Sequence, residues 1–362
     1  DRVASLHSSR TSGDLIMTMY DEISSYENLL LAFRKARKKK TGKWYVTEFE
    51  KNLKDNLLTL QKELESSTYK PSPMKVFIIH EPRTRVISAS HFRDRVVHHA
   101  LCNVIGPVFK KCFIPDSYAS IEERGTHAAI RRFDTFKCKV TKNGKTVRHA
   151  KYKNMTMGYV LKADIKHYFD SVDHSVLLSI LGRKIYDERT MQLIEKIIRN
   201  HSSGKGMPIG NLTSQLFANI YLTELDYFVK YKLRAKYYIR YLDDFVILHN
   251  DKNLLDMWKV KINEFLKYKL SIELQPEKSQ VYPLCKGVNF LGFRIFYYHK
   301  LLKKRNKRAI RRRLNEMIEN YRCGDSTKEE IESRINGWIA YAMHGNTYKF
   351  CNRIKKEVHR WL

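Results

Sequence analysis

Two successive aspartates, Asp243 and Asp244, sit between runs that favour extended chain, Tyr237-Tyr238-Ile239-Arg240-Tyr241 before them and Phe245-Val246-Ile247-Leu248-His249 after. Aromatic and β-branched residues flanking an acidic pair read as two short strands with the carboxylates at the turn. Aspartate is common in turns, so the pair alone also fits a solvated loop. A second apolar run, Tyr159-Val160-Leu161-Lys162-Ala163, ends in another carboxylate, Asp164. If that strand neighbours the pair in one sheet, three acidic groups converge. Hard divalent cations with oxygen ligands are the usual reason such repulsion is tolerated. Carboxylates gathered in this way suit a two-metal phosphoryl-transfer centre.

The rest of the chain must position these groups. At 362 residues, with 43% hydrophobic and 12% aromatic content, it is long enough for one large core or two to three lobes. Lys and Arg number 68 against 38 Asp and Glu, a formal charge of +30. That excess points to a polyanionic partner. Nucleic acid fits better than a membrane, because no apolar run of spanning length and no amphipathic anchor occurs. Six scattered cysteines without a CxxC pair, and no signal peptide, fit reduced thiols in the cytoplasm.

In chain order, residues 1–20 carry little pattern and read as an extension. Helical periodicity predicts helices over Ile23 to Ala36 and Val46 to Glu65, with the basic run from Arg37 to Lys43 between them. That run suits a solvated face or a phosphate contact. Residues 75–90 read as an antiparallel ribbon around Glu81-Pro82-Arg83-Thr84, bringing Arg83 and Arg85 to its tip. Phe92 to Phe109 is helical, and His98 and His99 within it read as packed groups, because no third ligand is spaced to join them. Asn143-Gly144 marks a hairpin turn. The glycine-rich loop from His201 to Gly210 lacks the spacing of a P-loop, but a helix start follows it, and such starts favour anions. From Lys303 onward the chain is helical and strongly basic, suited to gripping a duplex backbone.

Over residues 70–345 these segments resemble, in order, a reverse transcriptase. Asp164 with Phe169 is similar to the family's first catalytic motif, Gly210 through Gln215 to the second, and Tyr241-Leu242-Asp243-Asp244 to the third. Lys278 is similar to the lysine of the fourth motif, and Phe290-Leu291-Gly292-Phe293 to the primer grip. The resemblance implies an α+β right-hand polymerase: an extension over 1–40, fingers over 41–160 with a hairpin insertion near 136–158, a palm over 161–296 built on an antiparallel sheet with helices on one face, and a basic helical thumb over 297–362. It also implies two Mg²⁺ ions held by Asp164, Asp243 and the Ile165 carbonyl with Asp244 assisting. Arg83, Arg85, Phe169, Ile209, Gly210 and Gln215 would meet the nucleotide, Phe169 would exclude a 2′-hydroxyl, and Lys278 would protonate or neutralise the pyrophosphate.

Within that family, Ile209-Gly210 and the Ser214-Gln215 ending resemble the enzymes of diversity-generating retroelements, which copy a template RNA with errors at adenines. Ile209 cannot donate the hydrogen bond that a glutamine would, though it can equally serve only to pack. The implied partners are a structured RNA template, a DNA or RNA primer, dNTPs and a small basic helical accessory protein, in a bacterial, archaeal or phage-encoded setting. Ile121 and Glu123 stand where related sequences carry Arg or Lys, which puts a template contact there in doubt, while Arg124-Gly125-Thr126-His127 resumes the pattern. Alternatives are a group II intron, retron or phage-defence reverse transcriptase and a non-catalytic RNA-binding protein. An RNA-dependent RNA polymerase would instead show Gly-Asp-Asp at 242–244 and an Asp at 169.

Overall fold

A computed structural model of the chain describes residues 17–80, 84–147, 155–202 and 204–361. They belong to two compact units, one of residues 1–111 with 173–217, the other of 112–172 with 218–362.

In the first unit the periodic apolar residues do form helices, but shorter ones than their spacing predicts. The segment expected as one helix from Ile23 to Ala36 is two, Met19–Ser24 and Tyr26–Arg37. Ser25 leaves helical geometry, and its hydroxyl accepts the Asn28 N–H as the second helix's cap. The expected helix from Val46 to Glu65 is likewise Trp44–Lys51 followed by Leu53–Glu65, parted at Asn52 (φ −118°, ψ 44°). Periodicity reports which residues face the core; it does not report a break that keeps the same face inward. Phe33, Phe49 and Phe92 meet with ring centroids 5.4 to 6.1 Å apart, joining these helices to a long one, Phe92–Lys110. An antiparallel ribbon, β1 (Lys75–Ile79) and β2 (Arg85–Ala89), sets Ile79 opposite Arg85. Helices His174–Gly182 and Glu188–Arg199 also belong to this unit.

The second unit is built on a four-stranded antiparallel sheet. β3 (Tyr159–Asp164), β4 (Tyr237–Tyr241), β5 (Asp244–His249) and β6 (Gln280–Pro283) lie in the order β4-β5-β3-β6. β5 is buried from Phe245 to Leu248, so both of its faces are covered. The helix Lys252–Leu270 packs against β3, β5 and β6. Val160, Ile239, Val246 and Leu248 belong to an apolar cluster with Phe133 and Phe136 of the helix Thr126–Val140. Cover is therefore wider than the helices on one face expected from the sequence. A smaller sheet, β7 (Val288–Phe290), β8 (Phe293–Ile295) and β9 (Lys300–Leu302), joins the same cluster. Three helices follow, Lys304–Arg322, Lys328–Ala342 and Tyr348–Trp361, the first and last of them basic, and their apolar faces extend it. At the Asn-Gly turn both residues have positive φ (56° and 82°), and Thr146 bridges Thr156; residues 148–154 of the expected insertion lie outside the described residues.

Candidate active site

The strands gather the three aspartates at one end of the four-stranded sheet. β3 and β5 pair with Asp164 opposite Asp244, and the Ile165 N–H donates to the Asp243 carbonyl at 3.1 Å. Leu242 takes a left-handed φ of 54° to close the turn between β4 and β5. On the far side, the Lys166 N–H donates to the Glu273 carbonyl and the Gln275 N–H to the Asp164 carbonyl, so Ile165 bridges Leu274. In an extended chain one residue's N–H and C=O face the same edge. The Ile165 carbonyl thus shares the edge of its N–H, toward Asp243.

Burial and the neighbouring Asp164 push the Asp243 carboxyl up to about 6, with Asp244 adding to the rise and Lys278 opposing it. Asp244 is also raised, chiefly by burial, against the pull of Lys162. Two ammonium groups serve as counter-charges: Lys278 Nζ donates to Asp164 Oδ1 at 3.0 Å, and Lys162 Nζ to Asp244 Oδ1 at 2.5 Å. Lys278, foreseen from the sequence as a pyrophosphate partner, sits in the short 3₁₀ turn Pro276–Lys278 and reaches the first aspartate. No group of three or more His, Cys, Asp or Glu side chains among the described residues is set for metal binding. Two carboxylates and a main-chain carbonyl nonetheless fit Mg²⁺, which binds through one or two carboxylates plus substrate phosphates rather than an all-protein cage.

Beneath the turn lies a side chain that sequence reasoning did not single out. Arg240 is fully buried; its Nε and Nη2 donate to the two carboxylate oxygens of Asp226, each at 2.7 Å. Nη1 donates to Asn219 Oδ1 at 3.1 Å and to the Leu242 carbonyl at 3.4 Å, and the Tyr238 hydroxyl donates to Asp226 at 2.7 Å. The guanidinium therefore fastens the acidic turn to the helix Leu212–Tyr227. An arginine inside a strand flanked by Tyr and Ile was the available signal, since such a position is buried and a buried cation requires a partner.

Phe169 lies half-buried in the turn of helix Tyr168–Ser171, its ring 5.5 Å from that of Tyr168. Tyr168 is the anchor: it is buried, and its hydroxyl donates to the Ala218 carbonyl at 2.7 Å. In the primer-grip segment Phe290 and Phe293 are core residues, Phe290 against Phe133 at 5.7 Å. The turn Leu291-Gly292 has φ of 43° and 89° and is fastened by Lys303 N–H and Asn306 Nδ2 to the Gly292 carbonyl and by the Tyr341 hydroxyl to the Leu291 carbonyl.

Arg85, Ile209, Gly210 and Gln215 belong to the first unit and the aspartates to the second. Gly210 (φ 119°) lies against Ile87 of β2, and the Ser90 N–H donates to Asn211 Oδ1 at 3.3 Å, so the ribbon with exposed Arg85 is tied to the 209–215 segment. Ile209 is half-buried and Gln215 exposed. Arg83 lies outside the described residues. His98, read as packed, is fully buried, and burial lowers its pKa to about 3.

Residues 70–295 match the family described as reverse transcriptase (RNA-dependent DNA polymerase). Protein YkfC of Escherichia coli K12 is 27% identical over 303 residues, covering 72% of this chain and 75% of that protein. The group II intron-encoded protein LtrA of Lactococcus lactis subsp. cremoris is 23% identical over 331 residues, 71% of this chain but only 52% of LtrA. The retron Ec73 reverse transcriptase of Escherichia coli is 28% identical over 236 residues, 59% of this chain and 70% of that protein.

Proposed function

The chain belongs to the reverse transcriptase family of RNA-directed DNA polymerases, which are nucleotidyltransferases, and from that premise we propose that it copies a structured RNA into cDNA at the Asp164, Asp243 and Asp244 cluster. The observation that carries this reading is the convergence of three carboxylates at one sheet end, with Asp243 raised by burial and by its acidic neighbours. Asp164, Asp243 and the Ile165 carbonyl would hold two Mg²⁺ ions, with Asp244 assisting. Bound there, the ions supply Lewis acidity toward the attacking 3′-hydroxyl and charge neutralisation at the triphosphate.

The chain's own groups do the rest. Ionised Asp164 and Asp243 create the negative field that draws in cations, and Arg240 holds the turn so that their approach needs no reorganisation. Lys278 stands on Asp164, from where its ammonium serves as a proton source or counter-charge for departing pyrophosphate. Phe169 would carry the sugar and exclude a 2′-hydroxyl. Arg85, with Arg83, Gly210 and Gln215, would engage the incoming nucleotide, and the Leu291-Gly292 turn the primer end. In domain terms, residues 1–40 would form an extension, 41–160 the fingers with their insertion, 161–296 the palm and 297–362 the thumb. Template RNA, a DNA or RNA primer, dNTPs and a small basic helical accessory protein are the proposed partners, in a cytoplasmic setting.

Ile209-Gly210 with Ser214-Gln215 further supports the diversity-generating retroelement type, in which copying errs at template adenines. A second reading is favoured by the relatives: those named for a group II intron and a retron favour an enzyme of one of those kinds. Primer extension on an RNA template with dNTPs or NTPs and Mg²⁺, followed by product sequencing, tests all of this. Expected are dNTP incorporation that Asp243→Ala abolishes and errors concentrated opposite adenine. Faithful copying would leave the second reading; no incorporation, even with RNA and accessory protein supplied, would refute the polymerase assignment.

A further inference from the structure

The helix Tyr348–Trp361 buries Cys351, Ile354 and Val358 in the apolar cluster of its unit. At about 100° per residue, Lys349, Arg353, Lys356 and Arg360 fall within an arc of roughly 60° on the opposite side. All four are exposed, and none makes an ion pair among the described residues. Together with Tyr348, Asn352, Glu357 and Trp361 they line a shallow trough of about 660 Å³. Tyr348 is 72% and Trp361 49% exposed, and Arg322 stacks on the indole with its guanidinium carbon 4.5 Å from the ring centroid. Glu357 is the one acid in the trough and leaves it a net charge of three positives.

Two features say what this surface takes. The four cations span about 17 Å along the helix at 1.5 Å per residue, a row suited to several successive backbone phosphates. The two rings stand at either end of that row, one on each flank. Exposed rings beside a cationic row recognise unpaired bases, because a paired base keeps its faces inside the duplex stack.

We propose that this trough binds a single RNA strand, with Lys349, Arg353, Lys356 and Arg360 on successive phosphates and with Tyr348 and Trp361 stacking on bases. The strand is RNA because members of the family copy RNA templates; this choice rests on family membership and not on the two-ion reading of the aspartates. The trough uses none of the residues assigned to nucleotidyl transfer, so it is a second contact for RNA already engaged elsewhere or recruited before copying.

Fluorescence anisotropy with labelled oligouridylate, measured with a saturating hairpin primer–template present, tests it. Replacing the four cations by alanine is expected to weaken binding more than tenfold and to reduce the slope of log affinity against log salt by about 3. Tyr348→Ala and Trp361→Ala are each expected to weaken it about tenfold with the slope unchanged. The double variant Arg353→Glu/Lys356→Glu, at two exposed positions, removes the same four units of charge with half the substitutions, guards against a folding artefact and should weaken binding to a similar degree. Unchanged affinity in the cation variants overturns the site; unchanged affinity in the aromatic variants overturns stacking. Equal competition by duplex RNA overturns the single-strand assignment, and equal binding of the matching oligodeoxynucleotide overturns the choice of RNA.

Discussion

Asp243 and Arg240 are three residues apart in sequence and carry opposite burdens. The Asp243 pKa of about 6 lies above its usual 3.8, so its ionised form opposes folding. The stability it contributes is fully present below the unfolded pKa and is lost as pH rises through about 6. Asp243→Asn is therefore expected to raise the melting temperature at pH 7.5, by the equivalent of roughly 1–3 kcal/mol, with the gain shrinking toward pH 4.5. The same variant should lose about a thousandfold or more of primer extension, because a neutral amide is a poor ligand for a hard cation. Wild-type activity should fall below about pH 6 as Asp243 takes up its proton. Melting curves and rates at several pH values check both. Arg240→Ala leaves Asp226 in the core without its cation, which costs about 3–5 kcal/mol; a drop of that size in urea unfolding is the expected result. At position 209, Ile209→Gln would restore a hydrogen-bonding side chain, and sequenced products should show fewer errors opposite adenine.

Among elements, the turn between β7 and β8 is the most tightly specified. Gly292 has φ of 89°, and a Cβ there would collide with the Tyr341 hydroxyl and come within 2.9 Å of Asn306 Nδ2. Gly292→Ala is therefore expected to cost about 1–3 kcal/mol and to disturb the turn proposed to touch the primer. A chemical denaturation midpoint, together with the Michaelis constant for primer–template, measures the two effects. The helix breaks at Ser25 and Asn52, unforeseen from periodicity, matter here for the same reason: backbone geometry at one residue redirects an element without changing which face is apolar. The β1-β2 ribbon is the converse case. Its strand character was legible from Val76-Phe77-Ile78-Ile79, yet all four side chains are exposed, so the pattern revealed the conformation and not the burial.

For the whole molecule, a charge of +30 dominates encounter with nucleic acid. RNA affinity is expected to fall at least about a hundredfold between about 50 and 200 mM salt, as counterion release weakens phosphate contacts. A titration at several salt concentrations measures it, and a flat response would refute a backbone-driven interface. The positive charge is also carried into the helices Lys304–Arg322 and Tyr348–Trp361, whose apolar faces are buried while their basic faces stay in water.

The amino-acid sequence by itself determined the acidic triad, its strand–turn–strand setting, the helix-rich basic end and the family, because each is written in local residue type and in ordered spacing along the chain. The three-dimensional arrangement alone decided that Asp164 stands opposite Asp244, that Lys278 and Lys162 reach the carboxylates, and that Phe290 is core rather than surface. It alone revealed that Arg240 and Asp226 fasten the turn. These facts depend on strand register and on which helix covers which face. Both follow from packing among residues far apart in the chain, and no window of local pattern contains them.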